Sequence, residues 1–136
     1  HKQLQQAIDL VEAFPQQRFV LDHIAKPPIR EGTMEPWSDL IRKLARFPHV
    51  SCKVSGMVTE AEWNDWSVDH LRPYWDVVLE AFTPQRLMVG SDWPVCLLAS
   101  DYPEWFSCVE ELMSNLTESE QRCIYENTAR QWYRLS

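Results

Sequence analysis

The sequence predicts an α/β fold in which strands and helices alternate along a single domain of 136 residues. Three short apolar runs have the length of buried strands: "RFVLDH" at 18–23, "VSCKVSG" at 50–56 and "RLMV" at 86–89. Successive runs start 32 to 36 residues apart, which leaves room for a helix and a loop between them. The uniformly apolar character of these runs is typical of a parallel sheet that helices cover on both faces.

Helical segments precede, separate and follow the strands, and proline marks several of their ends. Pro15 closes the first helix, Pro36 fits the first turn of the second, and Pro84 stops the third. The last helix begins at "TESE", where Thr117 and Glu120 have the spacing of a capping box. Apolar residues at helical spacing lie within 4–14, 37–44, 71–82, 105–116 and 124–135.

Composition excludes several classes of protein. Hydrophobic residues make up 45% and charged residues 24% of the chain, which is ordinary globular composition. A net charge of -7 argues against a nucleic-acid surface, and no apolar run approaches the roughly 20 residues of a membrane span. The four cysteines form no CxxC pair, so we expect reduced thiols in a cytoplasmic protein.

Polar residues at the strand ends decide between an open doubly wound sheet and a barrel. His23, then Lys53 and Ser55, then Ser91 and Asp92 lie at or just after the carboxyl ends of successive strands. In a (β/α)8 TIM barrel these ends meet at one mouth, where active sites are built, whereas no GxGxxG or P-loop motif follows any strand. Residues 1–136 are therefore expected to form part of such a barrel, about three parallel strands with flanking helices.

Asp92 is the first candidate for chemistry. A carboxylate at the tip of a buried strand is costly unless it is paired, hydrogen-bonded or bound to a metal. It is expected to act as a general base or as a metal ligand that orients water. The alternative is a structural one, in which the carboxylate caps the loop by accepting backbone N–H bonds.

His23 and two lysines are further candidates. The His23 imidazole suits a divalent cation or a hydrogen bond to a scissile carbonyl oxygen, although a histidine at a strand end is often structural, with Asp22 as its partner. Lys26 and Lys53 are candidates to bind an anionic group or a developing oxyanion. Lys53 interrupts a strand, and it needs an acidic partner if it points into a barrel. Trp93, adjacent to Asp92, is a candidate apolar wall against a sugar ring.

Three segments, "FVLDHIAKP", "VSCKVSGMVTEA" and "RLMVGSDWPVC", resemble the amidohydrolase superfamily, and within it the lactonase-like branch on a TIM barrel. The resemblance implies that Asp92 activates the hydrolytic water and that His23 contacts a metal or the substrate carbonyl. It also implies that Lys26, Lys53 and Trp93 line the pocket, and that the substrate is a lactone of a sugar acid.

One family feature is missing from this sequence. Members begin with an HxH motif on the first strand, but the four histidines here include no such pair. The chain corresponds to the C-terminal half of the family barrel, so the ligands of a divalent metal such as Zn would be incomplete, with only His23 and Asp92 present. His1 is not expected to be a ligand.

The sequence thus predicts a parent enzyme that opens a sugar lactone, of the L-fuconolactone or L-rhamnonolactone type, with Asp92 removing a proton from water. An amidohydrolase-related decarboxylase of aromatic acids is the alternative enzyme. A third possibility is an inactive half-barrel, because three parallel strands cannot close and their edges stay unpaired. That chain would depend on its missing half or on self-association.

Overall fold

The computed structural model, which describes residues 2–136, contains one sheet of three parallel strands in the order β1–β2–β3. Helices flank the sheet, and this arrangement confirms the predicted fold class. No helix within residues 2–136 has both the length and the apolar character that a membrane crossing requires. The elements are β1 (Phe19–Leu21), β2 (Val50–Val54), β3 (Leu87–Val89), α1 (Leu4–Ala13), α2 (Trp37–Ala45), α3 (Met57–Glu60), α4 (Val68–Phe82), α5 (Tyr102–Leu112), α6 (Glu118–Arg122) and α7 (Thr128–Tyr133).

The two faces of the sheet differ in character. Register pairs Cys52 with Leu87, and both side chains are buried in the hydrophobic core beneath the helices. Because successive side chains alternate between the faces of a strand, Ser51 and Lys53 lie on the opposite face, with Met88 beside Lys53 in the register. In a complete barrel this second face is the interior, which explains why a strand carries a serine and a lysine.

The helices follow their predicted apolar stripes, with differences at the ends. In α1 the buried residues are Leu4, Ile8 and Val11, but Phe14 is 55% exposed. The reason is that α1 ends at Ala13, so Phe14 has left the helical stripe that its spacing suggested. Helix α4 begins at Val68, three residues before its first predicted apolar position.

The predicted last helix is divided into three parts. The capping box forms as expected, with the Thr117 amide donating to Glu120 Oε2 over 2.8 Å. A π-helical turn over Cys123–Asn127 then separates α6 from α7. Ile124 is fully buried, whereas Leu135 is 58% exposed. Leu135 is exposed because α7 ends at Tyr133 and the chain turns left-handed at Arg134, so Leu135 has left the helical stripe that its spacing suggested.

Arg86, directly before β3, connects several segments of the chain through hydrogen bonds. Its guanidinium donates to four backbone carbonyls, those of Ala45 at 2.9 Å, Phe47 and Val50 at 3.1 Å, and Ala81 at 3.3 Å. These carbonyls belong to the ends of α2 and α4 and to the segment that enters β2. Burial lowers the pKa of the guanidinium, but an arginine remains charged at any physiological pH.

Replacement of Arg86 by lysine is expected to lower the free energy of unfolding by about 2 kcal/mol, because a single ammonium cannot match the planar fork of donors. Urea unfolding followed by circular dichroism measures this change. Arg46, an exposed residue near the end of α2, supplies the control, since Arg46→Lys is expected to stay within about 0.5 kcal/mol. Equal effects of the two substitutions would show that the four contacts contribute nothing.

All four cysteines are free thiols, as the sequence predicted. Cys52, Cys96 and Cys108 are buried, and Cys123 is partly exposed. Burial raises the pKa of all three buried thiols, with that of Cys108 raised to about 12. The reactive thiolate is therefore suppressed at these three positions.

A brief treatment of the native chain with iodoacetamide near pH 8 is expected to modify Cys123 well before the other three cysteines. Peptide mass spectrometry after the pulse measures the order of labelling. In urea all four thiols should react at similar rates, because unfolding removes the burial that raises their pKa values. Early modification of Cys108 in the native chain would contradict the buried position assigned to it.

Candidate active site

Three loops at the carboxyl edge of the sheet build the candidate site. His23 lies two residues after β1, Ser55 and Gly56 follow β2, and Asp92 lies three residues after β3. Parallel strands bring these loops to the same edge, as in the mouth of a barrel. As a result, His23 Nε2 and Asp92 Oδ1 lie 3.7 Å apart although the residues are far apart in sequence.

The chain turns sharply at His23 through a run of left-handed residues. His23 to Lys26 have φ values of 50°, 43°, 61° and 50°, which cost non-glycine residues about 1–2 kcal/mol each. Ile24 anchors this turn, because its side chain is fully buried and its carbonyl accepts a 2.8 Å hydrogen bond from Trp37 Nε1. Such strain concentrates at functional sites, where surrounding packing holds it in place.

The His23 ring is held at one nitrogen and faces two carboxylates with the other. Nδ1 lies 2.9 Å from Ser55 Oγ, a side chain that is fully buried. Nε2 lies 3.4 Å from Asp22 Oδ2 and 3.7 Å from Asp92 Oδ1. With 26% of its side chain exposed, His23 is accessible to a small ligand on its Nε2 side.

Asp92 presents a poorly solvated carboxylate. Its side chain is 11% exposed, and Oδ2 is buried without a hydrogen-bond partner in the part of the chain that the structure describes. The Asp92 carbonyl, not the carboxylate, accepts the Cys96 N–H of the following turn at 2.9 Å. The carboxylate faces His23 instead, which favours the chemical interpretation over the loop cap. A buried unpaired acceptor is costly, so this oxygen is suited to bind a water, a substrate proton or a cation.

Lys53 has the acidic partner that its position in the strand requires. Its ammonium lies 2.9 Å from Asp22 Oδ1. Burial alone would raise the pKa of the Asp22 carboxyl, but the hydrogen bond from Lys53 and the charges of His23 and Lys53 outweigh it and lower that pKa. Burial likewise opposes the charge of Lys53, yet Asp22, with a smaller contribution from Tyr133, outweighs it and raises the lysine pKa. Both groups therefore remain charged at neutral pH, and Asp22 links Lys53 to His23.

Lys26 and Trp93 lie at the rim of the site. Lys26 Nζ pairs with Glu60 Oε1 at 2.9 Å, and half of its side chain is exposed. It also lines, with Asp22 and His23, an open cavity of about 270 Å³ beside α1. Trp93 follows Asp92 directly and is 64% exposed. The structure thus places His23 beside Asp92 and connects Lys53 to His23 through Asp22. Lys26 and Trp93 are the more exposed of the predicted site residues.

Gly56 is a site residue that the sequence analysis did not single out. Its φ is +64°, and a Cβ at this position would lie 3.1 Å from His23 Nδ1 and 3.2 Å from Asp92 Oδ2. The missing side chain therefore lets the histidine and the aspartate approach each other. A glycine directly after the strand "VSCKVS" was the available signal, since glycine permits both a left-handed turn and close packing.

The donor atoms fit part of a zinc site. Two ligands of one tetrahedral zinc lie roughly 3.4 Å apart at ordinary bond lengths, close to the 3.7 Å between His23 Nε2 and Asp92 Oδ1. The buried, unpaired Asp92 Oδ2 is consistent with a cation nearby. However, residues 2–136 contain no group of three or more His, Cys, Asp or Glu side chains arranged to hold a metal. The further ligands of a zinc ion would have to come from outside these residues.

Gly56→Ala is expected to lower the free energy of unfolding by about 1–3 kcal/mol more than Gly32→Ala does, because the new methyl group would press on His23 and Asp92. Gly32 is a matched control, with a φ of +62° and no atom within 4 Å of the position that a Cβ would take. Both substitutions carry the left-handed backbone cost, so their difference in urea unfolding isolates the contact. Identical losses of stability would contradict the close packing at Gly56.

Comparisons with known proteins identify the family of this chain. The Amidohydrolase family profile matches residues 1–135. The chain is 44% identical over 126 residues to an L-fucono-1,5-lactonase of Burkholderia multivorans, covering 85% of this chain and 43% of the relative. It is 36% identical over 126 residues to an L-fucono-1,5-lactonase of Burkholderia ambifaria, covering 90% of this chain and 43% of the relative.

A crystal structure of an amidohydrolase from Burkholderia multivorans with bound Zn superposes with a TM-score of 0.95 at 40% sequence identity. The match covers 99% of this chain and 50% of that chain. The chain therefore spans about half the length of the relatives it matches, and its three strands are part of a TIM barrel. On these findings, the chain belongs to the amidohydrolase family.

Proposed function

We propose that the protein containing this chain hydrolyses the ring ester of a sugar-acid lactone, of the L-fuconolactone or L-rhamnonolactone type. The names of the relatives support this substrate class: two are L-fucono-1,5-lactonases, and a 24% identical protein of Scheffersomyces stipitis is an L-rhamnono-gamma-lactonase. The observation that carries the proposal is the poorly solvated Asp92 carboxylate, which faces His23 Nε2 across 3.7 Å.

Asp92 acts in this proposal as the general base. Its carboxylate takes a proton from water while the water oxygen bonds to the lactone carbonyl carbon, which gives a tetrahedral intermediate. Collapse of that intermediate breaks the bond between the carbonyl carbon and the ring oxygen. The departing ring oxygen takes the proton back from Asp92, so one water is consumed and a hydroxy acid is released.

His23 polarises the carbonyl in the same scheme. A neutral imidazole with its proton on Nε2 donates a hydrogen bond to the carbonyl oxygen and stabilises the negative charge that develops there. Lys53 keeps its charge beside Asp22 and is available to sugar hydroxyls or to the product carboxylate. Lys26 and the exposed face of Trp93 complete the substrate contacts at the rim.

A divalent metal such as Zn, when bound, would polarise the carbonyl and lower the pKa of a bound water. His23 and Asp92 are the residues of this chain that would hold it. Because Nε2 must lose its proton to bind a metal, the hydrogen bond from His23 Nε2 to the carbonyl oxygen belongs to the metal-free site. The additional ligands belong to the family's HxH motif, which this sequence lacks.

We also propose that catalysis requires further strands, supplied by the rest of a longer chain or by a partner chain. Strands β1 and β3 are the edges of the sheet, and each leaves one side unpaired within residues 2–136. An apolar groove of about 200 Å³ runs along β1, lined by residues that include Leu10, Phe19 and Leu21. Residues 1–136 alone are expected to be inactive on lactones.

Asp92→Asn is expected to lower kcat on L-fucono-1,5-lactone by about 10²–10⁴-fold, because the amide cannot accept the proton of water. The protein for this assay is a chimera, in which residues 1–136 replace the matching half of the Burkholderia multivorans relative. A longer natural protein that contains residues 1–136 is assayed in the same way. Ring opening is followed by acid release in a weakly buffered indicator assay. Asp76→Asn, on the exposed side of α4, is the control and should leave kcat unchanged.

The results of these assays distinguish the proposed lactonase from the alternative functions. Turnover by Asp92→Asn within a fewfold of the unsubstituted protein would show that Asp92 is not the base. Release of CO₂ from hydroxybenzoates, without opening of any sugar lactone, would favour the decarboxylase. Full activity of residues 1–136 alone would contradict the need for further strands.

A further inference from the structure

We propose that Ser55 is a positioning residue, which fixes the His23 ring through Nδ1 so that Nε2 is directed at the reacting carbonyl. The kinetic consequence rests on the lactonase proposed above, whereas the structural claim does not. Ser55 lies one residue after β2 and is fully buried, with its hydroxyl 2.9 Å from His23 Nδ1.

The surroundings of Nε2 determine what Ser55 must do. Nε2 faces Asp22 Oδ2 at 3.4 Å and Asp92 Oδ1 at 3.7 Å, so its lone pair would meet two negatively charged oxygens. A neutral ring avoids this repulsion when its proton is on Nε2. Nδ1 is then an acceptor, and the Ser55 hydroxyl donates to it. In this arrangement Nε2 carries the N–H group that a substrate carbonyl oxygen requires.

The backbone around Ser55 limits the space on one side of the His23 ring. Gly56 would place a Cβ 3.1 Å from His23 Nδ1, so the ring packs directly against the turn that follows Ser55. The left-handed backbone of His23, with a φ of 50°, restricts the direction in which its side chain leaves the main chain. The main chain of His23 is thus already constrained, and the hydrogen bond with the Ser55 hydroxyl fixes the orientation of the ring. An alanine at position 55 would leave the ring free to rotate about its side-chain bonds.

Ser51 provides a matched comparison within the same strand. It lies four residues earlier on the same face of β2, and it is also fully buried. Its hydroxyl has no hydrogen-bond partner among residues 2–136. Replacement of either serine by alanine removes the same atom from the same buried face. The two variants differ in one respect, the loss of the contact with His23.

The first test measures the ring directly in the metal-free chain of residues 1–136. Two-bond ¹H–¹⁵N spectra of histidine-labelled protein, at about two pH units above the ordinary histidine pKa, distinguish a protonated from an unprotonated ring nitrogen. We expect His23, assigned with a His23→Gln variant, to be protonated at Nε2 and hydrogen-bonded at Nδ1. Ser55→Ala should shift its Nδ1 signal, and Ser51→Ala should not.

An Nδ1 shift that is unchanged in Ser55→Ala, or changed equally in Ser51→Ala, would overturn the proposal. Circular dichroism reports whether each variant folds. If Ser55→Ala does not fold, the unsubstituted chain decides. A His23 ring that averages between its two neutral tautomers there would overturn the proposal, and a single tautomer with a hydrogen-bonded Nδ1 would support it.

The second test is kinetic. It uses the same protein as the Asp92 experiment, the Burkholderia multivorans relative that carries residues 1–136. Ser55→Ala should lower kcat by about 10- to 100-fold with KM changed by less than about threefold, the effect of removing a residue that orients another. Ser55→Thr, which keeps a hydroxyl at this position, should recover most of kcat wherever circular dichroism shows that the variant folds. Ser51→Ala should match the unsubstituted protein.

The two tests distinguish a failure of the proposed function from a failure of the proposed role of Ser55. If the unsubstituted protein opens no lactone, the proposed function is wrong, while the spectra still decide the role of Ser55. If lactones are opened and Ser55→Ala retains full kcat, the function stands and the positioning role does not. Equal losses of kcat in the threonine and alanine variants would also overturn the role of the hydroxyl.

Discussion

The parallel register of the three strands is the constraint on which the candidate site depends. Val54 pairs with Val89, so the carboxyl ends of β2 and β3 are level, whereas Leu21 at the end of β1 pairs with Cys52, two residues earlier. His23, two residues after β1, therefore follows its strand at about the level where β2 and β3 end. A shift of one residue in any strand would turn its side chains to the opposite face of the sheet. His23 and Asp92 would then no longer face each other, because each is placed by the strand that precedes it. Arg86 and the buried core beneath the helices stabilise this register from below.

The site is built at a cost that the rest of the fold offsets. Four consecutive left-handed residues begin at His23, and the Asp92 backbone is also left-handed, with a φ of 56°. A carboxylate oxygen is buried without a partner among residues 2–136, and a lysine stands inside a sheet. Packing alone favours none of these features, and features of this kind cluster at functional sites. The buried side chain of Ile24 and the indole of Trp37 hold the most strained segment in place.

Sequence reasoning found the parts of the structure that depend on periodicity and on residue type. Uniformly apolar runs identified the strands, and the polar residues after them identified the edge where His23 and Asp92 meet. Features that depend on local backbone geometry were missed. The π-helical turn at Cys123–Asn127 has no marker in a pattern of constant spacing. The role of Gly56 depends on two side chains that arrive from other strands, so neither its φ nor its contacts follow from its neighbours in sequence.

The charges of Asp22 and Lys53 explain why these two residues lie beside His23 and Asp92. Two carboxylates flank His23 Nε2, and without a nearby cation their repulsion would favour protonation of one of them. Lys53 binds Asp22 and lowers its pKa, which commits the negative charge of Asp22 to the ammonium. Asp92 pairs with no lysine or arginine among residues 2–136; its carboxylate faces His23 Nε2 at 3.7 Å, and its Oδ2 is buried there without a hydrogen-bond partner. The lysine inside β2 thus distinguishes two similar carboxylates, because it holds Asp22 in an ion pair and leaves Asp92 facing the histidine alone.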